Sequence, residues 1–164
     1  MDGKLRNMAG IYITDKTADR MLLLYRVGSK VVPPSWCSIG GHFEAYELNN
    51  AKACVLRELQ EETGITEEDI TNLTFRYVTL RNKNKEIRQN YYFFADLLNK
   101  NLSIKSCNEG ILEWVEISKI LEREMPFTAK EVLKHYVTEG RYTDKLYGGV
   151  SSDKQVVFTE LDEF

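Results

Sequence analysis

The chain is poor in cysteine, proline and histidine, with three, three and two among 164 residues. Cys37, Cys54 and Cys107 stand at long spacings. An odd count with no short paired spacing argues against a disulfide framework and a zinc ribbon, and makes reduced thiols in a cytoplasm the expectation. His42 and His135 are too far apart to suggest an imidazole site. No apolar run approaches the ~20 residues of a membrane span, and the opening "MDGKLRNMAG" lacks the apolar core of a secretory leader. Charge of one sign is also lacking. Lys and Arg number 22 against 25 Asp and Glu, a formal net charge of −3, which does not suit a protein that binds nucleic acid through bulk electrostatics. Phosphorylated ligands stay open, because one local cation reverses the sign of a site. Repeats, low-complexity tracts and linkers are absent.

What is there is ordinary globular composition, 43% apolar and 29% charged, enough for one domain with a real core over residues 1–164. Residues 7–14 and "RMLLLYR" (Arg20–Arg26) read as a strand pair around the turn-rich "DKTAD". "VGSKVVPPSW" is a loop, broken by Gly28 and Pro33-Pro34. Trp36 to Ile39 suits a short strand leading into Gly40-Gly41. Asn49 or Asn50 caps a helix that runs to about Thr63 and stops at Gly64, with Ala51, Val55 and Leu59 as its apolar stripe. "NLTFRYVTLR" and "EIRQNYYFFADLL" make two long strands around "NKNK", and "ILEWVEI" a further one. Ser118 is placed to cap a short helix. "TAKEVLKHYVTEG" is an amphipathic helix with Val132, Leu133 and Tyr136 on one face and a stop at Gly140. Residues 142–162 suit a last β-hairpin, too apolar to be a free tail; packing on its own sheet is expected over pairing with a second chain. These elements predict an α/β or α+β domain with a mixed β-sheet.

"RELQEETGI" (Arg57–Ile65) gathers three glutamates. Glu58, Glu61 and Glu62 share one face of a helix at spacings of three and four, beside its apolar stripe. Carboxylates crowded there raise one another's pKa values. They also sit toward the C-terminal end, where the helix dipole disfavours negative charge. A hard divalent cation such as Mg2+ relieves both problems; a solvated, glutamate-rich face is the plain alternative. "GGHFEAYE" (Gly40–Glu47) just upstream adds two glycines that allow close backbone approach, and a fourth carboxylate.

The whole stretch "GGHFEAYELNNAKACVLRELQEETGI" resembles the signature of the Nudix hydrolases, the family that includes MutT. Gly41, Glu47, Arg57, Glu58, Leu59, Glu61, Glu62, Gly64 and Ile65 match it in type. Three departures fall in the loop half. Nine residues, not seven, separate Glu47 from Arg57, Tyr46 stands where a glycine is common, and Ile39 where a proline often precedes the double glycine. The resemblance implies an α/β/α sandwich. It implies metal ligation by Glu58, Glu61, Glu62 and the Gly40 carbonyl, with Mg2+ as cofactor and Mn2+ as a substitute. Arg57 is expected to tie loop to helix through a carboxylate. Glu109 in "CNEGILEW" is expected as a further catalytic acid, with Glu113 and Glu116 as competitors; Arg26 as a phosphate contact; and Glu47 beside the substrate. Cys54 reads as a buried small residue rather than a nucleophile. "YYFF" (Tyr91–Phe94) alternates across a strand, as core or as a base-stacking pair. The activity implied is hydrolysis of a phosphoanhydride in a nucleoside diphosphate linked to another group. A nucleoside triphosphate, an oxidised one included, is the first substrate expected. The alternative is a nucleotide-sensing protein without turnover. No DNA-binding module and no membrane partner are expected, and the chain is expected as a monomer or homodimer.

Overall fold

The computed structural model describes residues 3–27, 33–98, 104 and 109–163. Cys107 and most of the loop between Arg26 and Ser35 lie outside them.

Nine strands and two helices, with four short 3-10 turns, follow one another along the described chain. The strands are β1 (Lys4–Asp15), β2 (Arg20–Arg26), β3 (Ser35–Cys37), β4 (Ile39–His42), β5 (Ile70–Lys83), β6 (Glu86–Leu97), β7 (Gly110–Glu116), β8 (Tyr147–Ser151) and β9 (Val156–Glu160). The helices are α1 (Ala51–Thr63) and α2 (Phe127–Thr138). The sheet is mixed. β1 runs parallel to β6 along its length, while its other edge is divided between β2, at Ile13–Asp15, and β4, at Met8–Ile11. β2 also carries β3 and β7, both antiparallel. β5 and β6 form the long hairpin, turned at Asn84 and Lys85, both with positive φ, as a tight hairpin turn with matching twist requires.

Alternation along the strands sorts the core into two layers. Ala9, Ile11, Ile13, Leu22, Ile39 and Phe93 face α1 and meet Val55 and Leu59 there. Tyr12, Met21, Leu23, Tyr77, Tyr92 and Phe94 face the other way and meet Val132 and Leu133 of α2. The aromatic run is split the same way: Tyr91 packs on Phe43 and Phe75, whereas Phe94 stacks on Tyr136 at 3.8 Å between centroids. The result is a three-layer α/β/α arrangement with α1 on one face and α2 on the other.

Two details differ from the sequence expectation. The 3-10 turn Ile117–Glu122 starts after Glu116, with no side-chain cap, so Ser118 lies inside it. α2 stops at Thr138, and Gly140 opens a further 3-10 turn instead of terminating the helix. β8 and β9 form an antiparallel hairpin whose β8 joins β5 in parallel. The buried Arg76 side chain fastens the segment leading to this hairpin by donating to the Gly140 carbonyl at 2.7 Å.

Candidate active site

α1 starts where the Asn50 side chain accepts a hydrogen bond from the Ala53 amide, and ends at Gly64 in the left-handed conformation. Both caps do what these residue types do best. Its stripe of Val55 and Leu59 is fully buried against β1 and β4, which turns the acidic edge toward β4. There Gly40 has φ 148°, and a Cβ on it would meet the Ala9 carbonyl oxygen at 2.1 Å, so only glycine fits. A Cβ on Gly41 would meet Glu58 Oε1 at 2.5 Å. The double glycine therefore lets the helix carboxylates approach the strand backbone.

Arg57 is the clamp between loop and helix. Its Nε and Nη2 donate to the two oxygens of Glu47 at 2.8 and 2.9 Å, and Nη2 also reaches the His42 carbonyl at 3.1 Å. Its Nη1 takes Glu58 at 2.8 Å and Glu61 at 3.2 Å. The Glu44 amide adds a bond to Glu47 at 2.9 Å. Arg57 first and this amide after it hold the Glu47 carboxyl down at about 2. Glu47 is 1% exposed, with both oxygens spent inside the protein. The expected place beside substrate is thus corrected: Glu47 braces Arg57 and has no surface to offer a ligand. The longer entry into the helix includes a 3-10 turn at Ala45–Glu47, which seats this carboxylate against the arginine despite the two additional residues.

Arg26 makes the second cluster from the end of β2. Its Nη2 lies 2.9 Å from Glu62 Oε1, 2.6 Å from Glu109 Oε2 and 3.1 Å from the Gly40 carbonyl oxygen. The Gly40 amide donates to the other Glu62 oxygen at 3.0 Å. Three expected site positions, Gly40, Glu62 and Glu109, therefore converge on the guanidinium of a fourth, Arg26. Glu113 and Glu116 are engaged elsewhere, with Arg123 and Lys119. Burial pushes the Glu62 carboxyl well above the usual carboxylate range against the opposing pull of Arg26, and burial likewise raises Glu58. Glu61 differs: its side chain is 60% exposed and joins the others through Arg57 alone. Burial pushes the Cys54 thiol up to about 12, which leaves it un-ionised and unreactive at neutral pH.

Glu58, Glu62 and the Gly40 carbonyl are all hard oxygen donors, the set that Mg2+ takes. Among the described residues, no three acids converge on one point by themselves; arginines stand between them. The partly compensated charge of Glu58 and Glu62, and the close approach of the Glu58 carboxylate to the Gly41 backbone, fit a small divalent cation. Sequence reasoning missed a set of basic and hydroxyl residues on the opposite sheet face, Arg6, Arg81, Arg88 and Thr79. Arg81 and Arg88 flank one hairpin turn, but Arg6 lies far from them in the chain and joins them only through the β1–β6 register.

No curated protein matches the chain significantly. Among solved structures, a mutator MutT protein from Bacillus halodurans superposes with a TM-score of 0.65 at 23% identity, covering 94% of this chain and 97% of that one. A MutT protein from Methanosarcina mazei Go1 gives 0.68 at 22%, covering 85% and 97%. An Ap4A hydrolase from C. elegans, solved as a binary complex, gives 0.63 at 18%, covering 82% and 96%. These likenesses show the fold. The family model for the NUDIX domain matches residues 4–136, a span that runs from β1 into α2 and takes in both arginine clusters, and on that match the chain belongs to the Nudix hydrolase family.

Proposed function

We propose that the chain is a Mg2+-dependent hydrolase that cleaves a phosphoanhydride bond in a nucleoside diphosphate linked to another group. The observation that carries this reading is the pair of only partly neutralised carboxylates, buried Glu62 and partly buried Glu58, set against the Gly40–Gly41 backbone. Glu58, Glu62 and the Gly40 carbonyl hold the cation in this reading, with Glu61 contributing from the solvent side. When bound, Mg2+ neutralises diphosphate charge and lowers the pKa of a coordinated water.

The residues of the chain do the rest. Water oxygen bonds to phosphorus, the bridging P–O bond breaks, and a glutamate accepts the water proton. Glu62 and Glu109, the latter 2.6 Å from Arg26, are the acceptors within the cluster. Arg26 swings from these acids to a phosphate oxygen once a substrate competes for it, since guanidinium pairs with phosphate as readily as with carboxylate. Arg57, locked on Glu47, positions Glu58 and Glu61 and takes no part in proton transfer. A nucleoside triphosphate, including an oxidised one as the MutT likeness suggests, heads the substrate order. Dinucleoside polyphosphates, nucleotide sugars and ADP-ribose follow. Phosphate release across such a panel with Mg2+ tests the reading, coupled to pyrophosphatase for the triphosphates and to a phosphomonoesterase for substrates whose products are monoesters. Product from at least one member is expected. Nucleotide binding with no product anywhere establishes a sensor instead.

A further inference from the structure

On the face of the sheet that carries α2, three arginines stand in one row across three strands. Arg6 of β1 lies opposite Arg88 of β6, and Arg88 lies opposite Arg81 of β5. Neighbouring strands are only about 4.8 Å apart, and like charges directly opposite are destabilising. The row has one acidic partner among the described residues, Glu86, which is shared with Lys4 at 2.9 Å, Arg88 at 3.4 Å and Arg6 at 3.9 Å. Arg81 has none; its guanidinium reaches only the Thr128 hydroxyl, at 3.4 Å. Thr128 belongs to the first turn of α2, a helix that starts with no capping side chain and no acid in that turn. A cation at a helix N-terminus is itself unfavourable. Burial and Arg88 push the Arg81 pKa down. One row further in, on the same face, Thr79 is 1% exposed and its hydroxyl faces the Tyr92 phenol. The arginine row and the uncapped helix start both lack the same thing, an anion.

The row is also continuous with the signature. Gly40 pairs with Gly10, His42 pairs with Met8, and Arg6 Nη2 reaches His42 Nε2 at 3.1 Å. Arg6 lies four residues along β1 from Gly10, about 13 Å at ~3.3 Å per residue. An arginine side chain shortens that gap to the scale of one nucleoside.

We infer that Arg6, Arg81 and Arg88, with the start of α2, form a second phosphate subsite that selects substrates carrying a phosphate on the far side of the nucleoside from the scissile anhydride. The inference rests on the nucleotide reading above. The phosphate is either a ribose monoester or the first internucleotide diester, and both present the same anionic oxygens.

The test is calorimetric titration with Mg2+ present. The titrants are adenosine 5′-diphosphate, adenosine 3′-phosphate 5′-diphosphate, a 5′-diphosphorylated adenosine dinucleotide, and inorganic phosphate. The additional phosphate, as monoester or diester, tightens binding to the wild type about tenfold, the strength of charge-assisted hydrogen bonds. In Arg81→Gln/Arg88→Gln this advantage shrinks to about twofold or less. Lys119→Gln, far from the row, keeps it. The larger ratio between the two phosphorylated ligands tells the monoester from the diester. A ratio near one in the wild type, a ratio that the double variant retains, or no binding of any nucleotide overturns the inference. Inorganic phosphate bound in the row with equal affinity with and without adenosine diphosphate, at a ratio near one, marks a separate anion site and overturns it too. Binding is read rather than turnover, so a panel that yields no product defeats the activity reading and leaves this ratio to be judged alone. A second readout separates function from structure. Without ligand, Arg81→Gln raises Tm, because it removes repulsion from Arg88 and from the helix start; a fall in Tm overturns the inference.

Discussion

Two arginines grip the acidic edge of α1, Arg57 near its middle and Arg26 near its end, and the two grips differ in kind. Around Arg57, a guanidinium meets Glu47 in a two-pronged pair, and the carboxylate falls to about 2. Around Arg26, one nitrogen serves Glu62, Glu109 and a backbone carbonyl together, and Glu62 stays well above its ordinary range. The first arrangement is saturated and stores stability. The second is short of positive charge, a condition that an arriving cation relieves. Two glutamates, Glu47 in the loop and Glu62 on the helix, thus take opposite roles, set by what surrounds them.

Breaking the under-compensated side costs activity. Glu62→Gln is expected to lower kcat about 10³-fold or more, or ~4 kcal/mol of barrier. It should leave Tm near the wild-type value, because the amide oxygen still accepts from the Gly40 amide and Glu109 still faces Arg26. Steady-state kinetics at saturating Mg2+ alongside a melting curve checks both halves, and an unchanged kcat removes Glu62 from the chemistry.

Breaking the saturated side costs stability. Arg57→Ala leaves Glu47 buried and unpaired and is expected to lose about 3–5 kcal/mol of folding free energy, read by denaturant unfolding. The same pair has a pH signature. The folded pKa of Glu47 lies below its unfolded value of 4.5, so its contribution is fully present above about 4.5 and is lost as pH falls through about 2. The stability of wild type over Glu47→Gln, on the order of 2–3 kcal/mol at pH 6, should vanish across that window. A gap independent of pH argues against the clamp.

Supplying the missing charge sharpens the contrast. Mg2+ at about 100 times its Kd stabilises a native-state site by about 2.7 kcal/mol. The rise in Tm should persist in Glu47→Gln, if that variant still folds, and shrink in Glu58→Gln/Glu61→Gln/Glu62→Gln. The smallest effect is expected at Glu109→Gln, about tenfold in kcat at the low end of general-base contributions. Its side chain is half exposed, and Glu62 remains beside Arg26.

The helical half of the site was legible because a helix converts spacing into geometry: Arg57, Glu58 and Glu62 follow from one local period, and Asn50 and Gly64 mark the ends by their own chemistry. The long β5–β6 hairpin was legible for the same reason, since its turn is local. Glu47 was misjudged. Its distance from Arg57 in sequence said nothing of the 3-10 turn that folds it back onto the arginine. Arg26 and Glu109 were each singled out from the resemblance, yet their meeting on one nitrogen depends on β2 pairing with β7, and no local pattern encodes that. The arginine row on the α2 face was less legible, because Arg81 and Arg88 meet across the local hairpin but Arg6 joins them only through the distant pairing of β1 with β6.

The parallel pairing of β1 with β6 bears on how the chain assembles. Lys4 lies opposite Glu86, and Tyr77 opposite Tyr147, so two of the sheet's joints close loops that span much of the chain. Entropy must be surrendered before such contacts return anything, and high contact order places folding in the milliseconds-to-seconds regime of mixed and all-β topologies. During synthesis the signature segment emerges with β1 already made but with β6 still unmade. The open edge of β1 then waits, unpaired, for a strand translated after α1 and β5.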